Sequence, residues 1–136
     1  MIVIPSDILA YIVGHARKQA PIEACGLLAG TNSTATKAYR LTNLDASPEH
    51  FSLDPKEQFA AAKDMRRHGL DVVAVYHSHP ATPARMSEED LRLAFAPGIC
   101  YVVVSLADPE NPDVKGYKVE DGLPVEEKLV IQESQE

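Results

Sequence analysis

The run V72-V-A-V-Y76 constrains the fold most. It is short, apolar and largely β-branched, and it passes directly into H77-S-H-P80. Such residues in an unbroken run of this length favour a strand buried on both faces. A second run of the same kind, C100-Y-V-V-V-S-L106, lies beyond a stretch of helical pattern. Two buried strands separated by a helical segment imply a sheet with helices packed on it. Side chains alternate along a strand, so His77 and His79 point to the same side.

The other segments fill out that plan. I2-V-I4 reads as an edge strand broken by Pro5, with Ser6 as the cap of a helix. Ile8, Leu9, Ile12, Val13 and Ala16 form its apolar stripe, and Pro21 stops it. His15 is expected at the surface or half-buried. Cys25 to Ala29 reads as a strand ended by Gly30, and 31–36 as a polar turn. K37 to Thr42 is the second strand of a hairpin. The stretch 43–53 has no clean period; it is expected to run extended and carry Phe51 inward, with His50 as a loop residue. D54-P55 opens a helix to about Arg67, with Phe59 and Met65 on its apolar face and Gly69 just past its end. S87 to Phe95 is a short helix with Leu91, Ala94 and Phe95 facing inward. K115 to Val119 alternates as a strand, D121-G122 signals a turn, and 125–131 supplies one last strand. The order αββ, then αβαβββ, gives a single-domain α/β fold: a curved mixed β-sheet flanked by helices. It spans 1–136, with 132–136 a frayed tail. A glycine-rich phosphate loop is absent, which argues against a dinucleotide-binding fold.

Acidic residues outnumber basic ones by 20 to 13, for a net charge of -7. That balance argues against nucleic acid or an anionic membrane as partner. The start of the chain carries no signal pattern, and no run reaches the ~20 apolar residues of a membrane span. The expected location is cytoplasmic. Cys25 and Cys100 each sit in an apolar run outside any metal-binding spacing, and read as buried free thiols.

The chemistry-bearing residues cluster around the first run. A lone histidine is usually structural, and even a His-x-His pair can simply cap a strand end. Adding Asp90, in the first turn of the next helix, gives two imidazoles and a carboxylate. Zinc accepts that set and keeps a position for water; iron(II) is the chemical rival. Ser87 and Asp90 also have the spacing of a helix capping box. The two uses of Asp90 are expected to be partly exclusive. If Asp90 ligates a metal, Ser87 is freed to bond a substrate oxyanion or the water. Hydrolysis further needs a proton acceptor within reach. Glu23, just ahead of an apolar strand, is one candidate among several carboxylates; it could equally be a surface residue.

H77-S-H-P80, seven residues from His79 to Ser87, and then S87-x-x-D90 resemble the JAMM (MPN-plus) metalloprotease family, whose fold is cytidine-deaminase-like. E23-A-C-G-L-L-A-G30 is similar to the upstream strand that brings in the family's glutamate. The resemblance implies one zinc per chain held by His77, His79 and Asp90. It makes Glu23 the general base and then the acid, and Ser87 an oxyanion donor. It implies hydrolysis of a peptide or isopeptide bond without a covalent intermediate, leaving Cys25 a packing role beside Glu23. The chain is similar to the small stand-alone prokaryotic members. Their implied substrates are ubiquitin-like or sulfur-carrier proteins with a Gly-Gly tail, which an exposed strand edge could bind. Competing readings are a non-catalytic interaction module of the same fold and a RadC-like DNA-associated protein. Intact site residues oppose the first; acidic charge and the lack of an upstream DNA-binding region oppose the second.

Overall fold

The computed structural model describes residues 1–94 and 98–133. The elements run β1 (Ile2–Pro5), α1 (Ser6–Gln19), β2 (Cys25–Thr31), β3 (Thr34–Leu41), α2 (Pro55–Arg67), β4 (Asp71–His79), α3 (Glu88–Leu93), β5 (Cys100–Ser105), β6 (Asp113–Glu120), β7 (Leu123–Glu127) and β8 (Leu129–Gln132). The strands form one sheet in the order β7-β6-β5-β4-β2-β3-β1-β8. β4 lies inside it, antiparallel to β2 and parallel to β5.

The expected last strand is two strands. β7 and β8 close opposite ends of the strand order, yet only Lys128 separates them in the chain. The sheet must therefore curl until its ends meet. Gly116 makes room for that closure: a Cβ there would stand 2.7 Å from the Leu129 side chain. β1, read as an edge strand, is also corrected. β8 pairs with it in parallel from Ile2 to Pro5, and β3 flanks it on the other side. Pro5 caps α1 and Ser6 is its first helical residue, so the cap lies one position earlier than expected.

The two faces of the curled sheet bury different clusters. On one, α1 sends Ile8, Ile12 and Ala16 against Ile4, Leu28, Ala74, Tyr76, Val102 and Val104. On the other, α2 contributes Ala61 and Met65 to a cluster with Cys25, Leu27, Ala29 and Leu41. Phe59, expected on this inner face, is 67% exposed, because the small Ala61 and the flexible Met65 already fill the interface. The α2 ends follow expectation: Asp54 accepts the Lys56 N–H and Pro55 starts the helix, while Gly69 has φ +66° beyond its end. The polar turn after β2 is only Asn32 and Ser33, both left-handed, and the hairpin strand β3 starts earlier than read. Asp121 and Gly122 form the second left-handed turn, as their sequence signals.

Continuous apolar character misleads at the start of β4, where Val72 is exposed; burial on both faces sets in only toward Tyr76 and the histidines. His15 is also corrected. It is buried, and its Nδ1 lies 2.7 Å from the Tyr76 hydroxyl, pinning α1 to β4. Burial, with Arg40 and Lys18 nearby, lowers its pKa to about 4, so it stays neutral. Phe95 lies outside the described residues, as do residues 134–136 of the expected frayed tail; Gln132 belongs to β8. No described helix is long and apolar enough to cross a membrane.

Candidate metal centre and catalytic site

β4 delivers both histidines. Register sets Cys25 of β2 and Val103 of β5 beside His77, and Ser105 beside His79. Alternation then puts the two imidazoles on the α2 and α3 face, at the C-terminal end of the strand. The loop that follows is tied down at several points. His79 Nδ1–H donates to the Pro83 carbonyl at 2.9 Å, Ser105 Oγ to Thr82 O at 2.6 Å, and the Tyr117 hydroxyl to Ala84 O at 2.6 Å. These bonds fix the approach of α3 and of Asp90 in its first turn.

The three expected ligands converge. His77 Nε2 and His79 Nε2 are 3.2 Å apart, and Asp90 Oδ2 lies 3.1 Å from the first and 3.0 Å from the second. All three residues are buried. A tetrahedral ion with ligand bonds of about 2.0–2.1 Å holds its ligand atoms about 3.3 Å apart. The spacing observed therefore fits zinc to within a few tenths of an ångström. The donor set fits too. His79 spends its Nδ1–H on Pro83, which leaves Nε2 as the ring nitrogen available to a ligand. Two imidazole nitrogens and a carboxylate oxygen converging in a buried site can hold a cation between them.

Asp90 caps its helix without turning away from the histidines. Its Oδ2 accepts the Ser87 N–H at 3.0 Å while facing the imidazoles, and Ser87 Oγ accepts the Asp90 N–H at 3.0 Å. The capping box thus aims the carboxylate at the histidines instead of withdrawing it. Burial opposes its charge, but contacts from His77, His79 and the Ser87 N–H hold its pKa well below the usual carboxylate range. Ser87 is exposed, and its Oγ accepts from Asp90 while keeping a hydroxyl hydrogen to donate.

Glu23 precedes β2 by two residues and is 3% exposed, not a surface carboxylate. Its Oε1 has no hydrogen-bond partner among the described residues. Burial raises its pKa to about 8; the negative charges of Asp90 and Glu49 push the same way, while His79 opposes them. Cys25 sits across from His77, its Sγ 3.8 Å from the Leu41 carbonyl. Burial first, then Glu57, Glu23 and Asp45, push its thiol up to about 12, so it is inert as a nucleophile.

Two features escaped the sequence. Phe51 goes inward as expected, but its ring stacks on His77, centroids 4.8 Å apart and 24° from parallel. Asn43 gathers the 43–53 loop: Nδ2 donates to Glu23 O and His50 O, and Oδ1 accepts from Asp45 N and Ser52 N. The only hint was a lone asparagine in an aperiodic stretch. Among the described residues, β4 is flanked by β2 on one side and β5 on the other, and the strand order ends at β7 and β8.

Comparison with known proteins agrees with this geometry. A family model described as prokaryotic homologs of the JAB domain matches residues 5–118. The chain is 36% identical over 135 residues to the CysO-cysteine peptidase of Mycobacterium tuberculosis, covering 98% of this chain and 92% of that protein. It is 37% identical over 101 residues to the desampylase of Haloferax volcanii, covering 69% and 73%. A Desulfitobacterium hafniense protein solved in solution superimposes with a TM-score of 0.91 at 44% identity, covering 100% of this chain and 96% of that one. The expected fold, with its curved mixed sheet and His/His/Asp cluster, is thus the fold observed, and the chain belongs to the prokaryotic JAB-domain branch of the JAMM/MPN metalloprotease family.

Proposed function

We propose that this chain is a zinc-dependent peptidase that cleaves the amide bond after the Gly-Gly tail of a ubiquitin-like or sulfur-carrier protein. One zinc per chain would be held by His77, His79 and Asp90. The observation that carries the proposal is the convergence of two imidazole nitrogens and a carboxylate oxygen within 3.2 Å. A buried carboxyl with an unpartnered oxygen accompanies them. When bound, zinc supplies a Lewis acid and an acidified water.

The chain's residues supply the rest. Glu23 takes a proton from the attacking water and returns it to the departing nitrogen. Its carboxyl is buried with one oxygen unpartnered, so that oxygen is available to take and return a proton within the site. The Ser87 hydroxyl donates to the oxygen on which negative charge develops. The Pro83 carbonyl holds the His79 ring in a single tautomer and orientation.

The substrate class rests on similarity to the CysO-cysteine peptidase and the desampylase. Glycine residues lack side chains and let a backbone approach a buried centre closely. A cytoplasmic setting is part of the proposal and rests on the two free thiols, Cys25 and Cys100. The test is mass spectrometry on a carrier protein ending in Gly-Gly-Cys, incubated with zinc-loaded protein. Loss of the terminal cysteine is expected, blocked by 1,10-phenanthroline and restored by added zinc. An intact carrier would overturn this substrate; cleavage indifferent to the chelator would overturn the metal mechanism.

A further inference from the structure

Glu23 sits where no regular structure holds it: α1 ends at Gln19 and β2 begins at Cys25. Its unpartnered Oε1 gives the side chain no anchor at that atom. Both of its backbone groups, however, are bonded to one loop. The Glu23 N–H donates to Ser47 O at 2.9 Å, and Glu23 O accepts from Asn43 Nδ2 at 3.1 Å. The next residue is clamped between the two histidines. Ala24 N–H donates to Ser78 Oγ at 2.7 Å, and Ser78 N–H donates to Ala24 O at 3.0 Å.

We infer that Asn43 and Ser78 are positioning residues that fix where the Glu23 carboxyl is carried, through their hydrogen bonds to the Glu23 and Ala24 backbone. The inference rests on Glu23 being the base. Ser78 is fully buried on the face opposite the histidines, and its hydroxyl serves where the β2–β4 ladder gives out beyond Cys25 and His77. Asn43 needs both ends of its amide. Oδ1 accepts from Asp45 N at 3.0 Å and Ser52 N at 3.2 Å; Nδ2 donates to the Glu23 and His50 carbonyls. These partners fix the amide orientation. Aspartate would keep the accepting end and turn an oxygen toward two carbonyls. No hydrogen bond among the described residues joins the Asn43 or Ser78 side chain to His77, His79 or Asp90, so their effects should separate from metal loading.

The test uses N43D and S78A in the full chain, with E23Q alongside. Zinc content should match wild type. With the Gly-Gly-Cys carrier, kcat should fall about 10²-fold, the scale expected for an ångström of misplacement, while KM changes less than about 3-fold. Amide exchange gives an activity-free readout. The Glu23 amide in N43D and the Ala24 amide in S78A should exchange at least ~10-fold faster, with the amides of residues 72–76 of β4 unchanged. Normal exchange with kcat within ~2-fold would overturn the inference. So would losses confined to KM or zinc content, or unfolding of both variants, which would make these bonds general scaffolding. If wild type leaves the carrier intact, the substrate proposal fails, while the exchange data still decide whether Asn43 and Ser78 place Glu23. Full turnover by E23Q would remove the base itself.

Discussion

Asp90 Oδ2 stands 3.0 Å from His79 Nε2 and simultaneously accepts the Ser87 N–H that caps α3. One oxygen joins a helix start to a histidine pair. The short helix therefore acts as a bracket for the carboxylate, and the spacing S-x-x-D caps α3 while keeping the carboxylate beside both imidazoles. It follows that the cap and the metal can be separated by substitution.

D90N should keep α3 folded, because an amide oxygen can still accept from Ser87. It should bind zinc at least ~10-fold more weakly, having lost the negative charge among the ligands. Titration with a chromophoric zinc chelator measures the affinity, and circular dichroism checks the fold. Wild-type affinity in D90N would remove Asp90 from the ligand set.

Glu23 gives the metal-free protein a pH dependence of definite sign. Its folded pKa, about 8, lies above its unfolded value, so the folded state holds the proton longer. This stability is fully present below about pH 4.5 and declines as pH rises through about 8, by an amount on the order of a few kcal/mol. E23Q has no such proton to lose. Denaturant unfolding of chelator-treated protein at pH 5 and pH 9 should therefore show E23Q gaining on wild type at the higher pH. Parallel behaviour of the two proteins would mean the carboxyl is not buried as described.

C25A should remain an active enzyme. The thiol is buried, its pKa is raised to about 12, and the proposed chemistry forms no acyl-enzyme. Turnover within about 3-fold of wild type is expected, with a stability loss on the order of 1 kcal/mol for the small void. Abolished turnover in a folded, zinc-loaded C25A would point to a cysteine mechanism.

G26A should be among the most damaging single changes away from the site. A Cβ at Gly26 would stand 2.3 Å from the Tyr39 carbonyl and 2.4 Å from the Tyr76 ring. Tyr76 is itself fixed by His15, so the ring cannot easily yield. A loss above ~3 kcal/mol is expected from such overpacking, read by thermal or denaturant unfolding. A near-neutral G26A would show that the sheet relaxes more readily than its packing suggests.

Much of this was legible in the residues. The apolar run ending in His77 and His79 gave a strand and a shared side, and D54-P55 and D121-G122 gave a helix start and a turn. Local chemistry decides those features. What stayed hidden depends on contacts between distant segments. The parallel pairing of β1 with β8 leaves no mark on either short strand, so β1 looked like an edge. His15 lies on a helix flank, and only Tyr76, far along the chain, makes a buried place for it. That the capping carboxylate of Asp90 also faces the imidazoles was hidden, because spacing shows a capping box but not the direction in which its carboxylate faces. Asn43 and Ser78 act by hydrogen bonds across the fold, for which sequence periodicity has no signature.

The most direct test is an anomalous diffraction map at the zinc edge from crystals of zinc-loaded protein. One peak per chain is expected, bonded to His77 Nε2, His79 Nε2 and Asp90 Oδ2 at about 2.0–2.2 Å, with Glu23 facing its open side. A peak elsewhere, or none while Asp90 bonds only its own helix cap, would contradict the metal centre on which the proposed function stands.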